Sequence, residues 1–216
     1  MAQSTGIKSK LTKTQHQCVT RPALWVAGLL VFIPVLIADT AASGPTENSQ
    51  LVKKGAFLVA KRKLHGTSFQ QTVILITHYS KKEVMGLAIN RPTDIPLNQV
   101  FPELSPLKNN TDLLYLGGPV RPKILFVLVR TKEPKKGMRH VVDDVYFSSV
   151  KDAFSPPAQT ITRTYKGYSG WSVRQLHNEI KRGDWQVVHT GPDIIFEKNP
   201  ATLWQRLFKK WSGKWT

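Results

Sequence analysis

A chain of 216 residues, 41% hydrophobic and 21% charged, is long enough to bury one core and too apolar for wholesale disorder. Its formal charge is +17; Lys8, Lys10, Lys13 and Arg21 against Asp39 account for +3 before Gly44, leaving +14 for residues 44–216. That excess favours anionic lipid, nucleic acid or an acidic protein as partner, while the single cysteine, Cys18, excludes a disulfide framework, a thiolate metal cluster and a cysteine nucleophile from the folded part.

Residues 1–22 form a polar, basic leader without an apolar period. Ala23–Ala38 then runs sixteen residues without a charge. As a helix it would be about 24 Å long, short of the ~30 Å hydrocarbon core of a bilayer. The basic leader, the apolar run and the small residues Ala41-Ala42-Ser43 are laid out as in a signal peptide. Segment 23–43 is therefore expected to be a hydrophobic N-terminal helix, either a cleaved signal or a transmembrane anchor. Residues 44–50 read as a linker. With the basic residues holding the N-terminus in the cytoplasm, the domain is expected membrane-anchored or periplasmic.

From Leu51 the pattern changes to short strands and turns. Ala56–Ala60 and Thr72–Thr77 are β-branched or apolar runs, and Leu87–Ile89 is a strand that Asn90-Arg91-Pro92 should stop. Leu97–Phe101 predicts one helical turn. Leu113–Leu116 and Ile124–Val129 are strands joined at Gly117-Gly118-Pro119. Glu133–Arg139 is a charged loop, Val141–Phe147 a strand carrying Asp143-Asp144, and Gln159–Tyr165 alternates like an exposed strand.

The period then shifts to helical. Trp171, Val173, Leu176 and Ile180 share one face, with Ser169 as the expected N-cap and Gly183 as the closing residue. Trp185–Val188 is a last strand, and Pro200–Trp211 a terminal helix. The sum is one α+β domain, strand-rich, over residues 51–208.

Three segments carry a resemblance: Thr72–Pro92 (TVILITHYSKKEVMGLAINRP), Leu114–Leu128 (LYLGGPVRPKILFVL) and Tyr165–Trp185 (YKGYSGWSVRQLHNEIKRGDW). In order and spacing they resemble the YqgE/AlgH family across residues 51–208. The resemblance implies a single compact domain with a bifurcated sheet containing a small barrel, surrounded by helices. It also implies a regulatory role of the kind described for members acting on polysaccharide (alginate) production. Three places depart from the family pattern: Glu83 stands for a glycine, Gly170-Trp171-Ser172-Val173 for a Gly-Trp-Gly-Pro run, and Val129 for a histidine.

The polar features worth weighing are few. Arg91 offers five donors suited to a carboxylate or phosphate, and backbone donors at Gly117-Gly118 can approach the same anion. Asn90, Arg91, Gly117, Gly118, Tyr168, Trp171 and Gln175 are the candidate ligand-binding residues. The alternative for them is architectural: turn chemistry, with Arg91 paired to an acidic residue. Gly167-Tyr168-Ser169-Gly170 resembles a nucleophile elbow, but Trp171 occupies the place of its last glycine. A hydrolase using Ser169, with His189 and Asp193 later in the chain, is thus the third functional reading. His65, His78, His140, His177 and His189 lack metal-ligand spacing, and no phosphate-binding glycine loop is present, so neither metal nor cofactor is expected.

At the C-terminus Leu203, Trp204, Leu207, Phe208, Trp211 and Trp215 recur at helical spacing, with Arg206, Lys209, Lys210 and Lys214 on the other side. Basic helices with an aromatic face suit an anionic membrane surface. The tail 209–216 supplies the expected contacts: Lys209, Lys210, Trp211, Lys214 and Trp215. The leading expectation is a membrane-associated or exported, non-enzymatic interaction or regulatory protein that binds an unknown protein or small anionic ligand. A cytoplasmic nucleic-acid-binding regulator is the alternative, although no recognition-helix or RNA-binding motif is legible.

Overall fold

Phe57–Ala60 (β1) is apolar at every position because both of its faces are covered. Phe57 and Val59 point into one core cluster, Leu58 and Ala60 into another. The computed structural model that shows this describes residues 52–154 and 160–212. The leader, the apolar segment and the linker, and Lys214 and Trp215, lie outside the described residues.

The remaining strands are Val73–Tyr79 (β2), Glu83–Ala88 (β3), Pro92–Pro96 (β4), Leu113–Leu116 (β5), Val120–Arg130 (β6), Arg139–Val142 (β7), Val145–Ser148 (β8), Ile161–Ser172 (β9) and Trp185–Val188 (β10). The helices are Leu97–Val100 (α1), Val150–Ala153 (α2), Val173–Arg182 (α3) and Leu203–Ser212 (α4). Among the described residues all ten strands join one sheet, ordered β10-β1-β2-β3-β9-β6-β8-β7, with β4 and β5 branching off.

Strand β9 is the hub. One edge of it pairs antiparallel with β6, from Ile161↔Arg130 to Tyr168↔Val120. The other edge is shared: Tyr165 and Lys166 pair parallel with β5, and Ser169 to Ser172 pair antiparallel with β3. The sheet therefore forks where β3 and β5 diverge from β9. Every strand except β4 sends residues into the larger core cluster, among them Leu75, Tyr115, Leu128, Val145 and Tyr165, so the sheet curls around it as a half-barrel. Helix α3 covers the other face of β1 to β3 through Leu176 and Ile180. Helix α4 adds Leu203 and Leu207 to the larger cluster.

Several expectations change here. The domain is strand-rich as expected, but it is not surrounded by helices: α1 and α2 are four residues each, and only α3 and α4 reach ten. Pro92 does not stop the chain from pairing, since it opens β4, where a missing donor is tolerated. The single strand expected over Val141–Phe147 is a hairpin that folds at Asp143-Asp144, with Asp143 in the left-handed region at φ 45°. Strand β9 is twelve residues long and central rather than short and exposed, with Thr164 and Tyr165 fully buried.

That length moves the start of α3. Ser172, not Ser169, is its N-cap, and its side chain accepts from the Gln175 N–H at 3.1 Å. Gly183 closes the helix at φ 83°, as expected. Val129, which stands where the family pattern has histidine, is fully buried in a small cluster with Val127 and with Ala153 of α2.

Candidate functional site

The seven candidate ligand-binding residues fall in three places along β3 rather than in one pocket. Beyond its C-terminal end, Asn90 and Arg91 reach back to the turn entering β2. Asn90 Oδ1 accepts from the Val73 N–H at 2.9 Å, and its Nδ2 donates to Gln71 O at 2.9 Å. Gln71 needs that support, because it holds a positive φ of 55° without being glycine. Arg91 donates from Nε and Nη2 to Thr72 Oγ1 and from Nη2 to Gln70 O. No carboxylate faces it in these bonds. Burial holds its pKa below the ordinary arginine value. Both side chains thus clamp a turn.

At the fork, the Gly117-Gly118 backbone crosses β9 at van der Waals distance. Gly117 N–H donates to Lys166 O, and Gly117 O accepts from the Ala88 N–H, each at 2.9 Å. A Cβ added at Gly118 would lie 2.3 Å from the Tyr168 carbonyl carbon, and one at Gly117 would lie 2.3 Å from Gly167 O. Gly167 itself turns at φ 68°, where a Cβ would sit 2.4 Å from Gly118 O. Three glycines are required because two stretches of main chain, 117–120 and 167–169, touch. No volume for an anion is left between them. The Tyr168 ring turns away, edge-on to Phe126 at 5.9 Å.

Ser169 lies in the same crossing, 0% exposed in the middle of β9, donating to Gly117 O at 3.3 Å. It is not at a strand-to-helix turn, so the elbow geometry that suggested a nucleophile is missing. Asp193 is engaged elsewhere: Arg130 donates to Asp144 at 2.8 Å and to Asp193 at 2.5 Å. Those two hydrogen bonds, Asp144 first, hold the Arg130 pKa above its ordinary value.

At the other end of β3, Trp171 and Gln175 do meet, on a carboxylate outside the candidate set. Glu179 Oε2 accepts from the indole N–H of Trp171 at 3.0 Å and of Trp185 at 2.8 Å, while Oε1 accepts from Gln175 at 2.9 Å. Phe69 packs against both indoles. A carboxylate that collects two buried indole donors is a locking device between β9, α3 and β10. The sequence carries only a partial signal for it: Gln175 and Glu179 stand one helical turn apart, and a buried indole needs an acceptor.

The terminal helix builds the one open feature among these candidates. Trp204 donates to Ala60 O at 2.7 Å, which fixes α4 against the end of β1. Trp211, expected beyond the core, is instead half-buried against the larger cluster. Between α4 and the 3-10 turn Arg62–Leu64 lies a cavity of about 370 Å³, floored by Val59, Leu207, Phe208 and Trp211. Lys61, Arg62 and Lys63 line it, and no carboxylate does. Lys209 and Lys210 are exposed on the adjoining turn of α4. Sequence reasoning reaches the α4 half of this groove but not residues 61–63. Elsewhere among the described residues, no three His, Cys, Asp or Glu side chains converge as a metal site would require.

Comparison with known proteins fits this geometry. A family model described as AlgH-like matches residues 57–216. A UPF0301 protein of Cytophaga hutchinsonii is 28% identical over 170 residues, 76% of this chain and 92% of the relative. One from Rhodococcus erythropolis is 29% identical over 74% of this chain and 83% of its own length. Among solved structures, protein DIP2367 from Corynebacterium diphtheriae matches with a TM-score of 0.64 at 22% identity, covering 74% of this chain and 87% of its own. The AlgH protein from Pseudomonas aeruginosa matches with a TM-score of 0.57 at 24% identity, covering 81% and 92%. These comparisons run against the expected membrane-anchored or periplasmic placement: the shared domain alone fills 92% of the Cytophaga relative and 92% of the solved AlgH chain. No helix among the described residues is long and apolar enough to cross a membrane.

Proposed function

We propose, from the premise that the chain belongs to the AlgH-like family, that it is a non-enzymatic interaction protein which regulates by binding an anionic partner. The observation that carries this reading is the groove beside α4, lined by three cations and no carboxylate. The polar residues that suggested chemistry support it from the other side. Asn90, Arg91 and Ser169 have their hydrogen bonds inside the fold. What is left for a partner is a cationic surface, and an excess of +14 beyond residue 43 attracts acidic proteins, small anions or anionic lipid alike.

The test is retention of the full chain on immobilised polyglutamate and on immobilised polylysine across a salt gradient. Retention on polyglutamate that weakens with salt, and none on polylysine, is expected. Equal behaviour on the two supports overturns the reading. So does hydrolysis of a simple ester by the protein that Ser169→Ala abolishes.

A further inference from the structure

Resting on that reading, we infer that the groove between Arg62–Leu64 and α4 receives an acidic protein segment, one that presents a large apolar side chain flanked by carboxylates. The floor asks for the apolar side chain. Val59, Leu207, Phe208 and Trp211 form a concave apolar surface, and about 370 Å³ holds one or two large side chains. The rim asks for the carboxylates. Lys61 and Arg62 stand at the mouth without an acidic neighbour in the lining. Lys63 is less available, since its Nζ donates to Arg182 O at 2.8 Å and so covers the carbonyl end of α3.

The geometry also chooses between classes of acidic partner. Nucleic acid needs open aromatic faces on which bases stack. Here the Phe208 ring is already engaged, stacked with the Trp204 ring at 5.0 Å and approached by the Arg62 guanidinium at 5.5 Å. Lys210 lies over Trp211 at 5.9 Å. An anionic membrane presents a flat surface that a recessed floor does not meet, whereas a protruding side chain does. An acidic segment with an apolar anchor satisfies floor and rim together.

The experiment titrates the full chain into a fluorescein-labelled peptide that carries leucine and phenylalanine among glutamates, read by anisotropy. Two counterparts accompany it, one with glutamine for glutamate and one with serine for the apolar residues. Lys61→Glu with Arg62→Glu reverses the rim on exposed or half-exposed positions outside the core. Lys81→Glu with Lys82→Glu makes the same charge change in the β2–β3 turn, at the far end of β2. The rim pair is expected to weaken peptide binding roughly tenfold or more and the distal pair by less than about threefold. The serine peptide is expected to bind roughly tenfold more weakly than the parent. Equal loss in the two charge pairs overturns the groove and leaves the broader anionic-partner reading standing. No binding of the acidic peptide even at low salt overturns both. Oligothymidylate or phosphatidylglycerol vesicles that depend on Lys61 and Arg62 more strongly than the peptide does would overturn the choice of a protein segment.

Discussion

Two regions of this molecule contrast sharply: the glycine crossing on β9 and the groove beside α4. The crossing and the turn beside it are where the sequence is densest in suggestive residues, with Gly117, Gly118, Gly167 and Ser169 at the crossing and Asn90 and Arg91 in the turn. All of it is spent within the fold: the glycines admit main chain, and the polar side chains bond neighbouring turns and strands. The groove has no motif. It arises because Trp204 and Ala60, 144 residues apart, are joined by one hydrogen bond. Motifs built of glycine, asparagine and proline specify backbone geometry before anything else, and once the backbones touch there is no room for a ligand. Open surface comes from the apposition of distant segments.

The largest effect that could break this contrast is at Gly118. Gly118→Val places its Cβ 2.3 Å from the Tyr168 carbonyl carbon and 2.4 Å from Ser169 N, backbone atoms of the hub strand that cannot yield singly. The expected outcome is loss of the folded state, or a destabilisation above about 4 kcal/mol, seen in urea unfolding or as absence of soluble protein. A variant that melts like the parent but loses an anionic ligand would show that the crossing is a binding site after all.

A smaller effect sharpens the contrast at Glu179, which is polar and partly exposed yet internally committed. Glu179→Ala leaves the indole N–H groups of Trp171 and Trp185 without their acceptor, in side chains only 6% and 1% exposed. The expected cost is about 2–4 kcal/mol, with Glu179→Gln between it and the parent. Urea unfolding with tryptophan emission measures both the stability and the altered indole environment. Unchanged stability together with impaired peptide binding would move this cluster from the structural side to the functional one.

Legibility in the sequence divides along the same line. Strands β1, β2, β5 and β10 and helix α4 arise from local apolar runs and helical spacing and form close to where the pattern puts them, whereas α3 begins three residues later than expected and β6 extends beyond Ile124–Val129 at both ends. Strand β9 is only half legible because Gly167 and Gly170 interrupt its period, and their glycine identity comes from crossing contacts with Gly118 and with Tyr168 and Val120. The β7–β8 hairpin hides behind Asp143-Asp144, a turn pair without the glycine that marks most such turns. Of the site, the Trp211 side of the groove is visible as helical periodicity. Lys61 to Lys63 are not, because Arg62–Leu64 is an isolated turn whose importance rests wholly on what packs beside it.

The smallest expected effect tests how tightly the crossing region is sealed. Tyr165 lies on β9 two residues before Gly167, fully buried, and among the described residues its hydroxyl has no hydrogen-bond partner. A phenol held that way is a polar atom in an apolar half-barrel, so Tyr165→Phe should be neutral or stabilising by up to about 1 kcal/mol at neutral pH. Burial raises its pKa above the ordinary tyrosine value, and the neighbouring Arg163 only partly opposes that. That direction sets the sign of the pH dependence. In the unfolded chain the phenol loses its proton near pH 10, while in the folded chain it keeps it. The folded state therefore binds more protons, and its stability falls as pH rises beyond about 10, with no contribution from this group below that range. Tyr115, also raised by burial, contributes in the same direction in both proteins. Urea unfolding of parent and Tyr165→Phe from neutral to alkaline pH should thus give curves that run parallel below about pH 10, with the parent falling more steeply above it. A loss of more than about 1 kcal/mol on substitution at neutral pH would mean that a buried water satisfies the hydroxyl, and the half-barrel would then contain a polar site that its packing conceals.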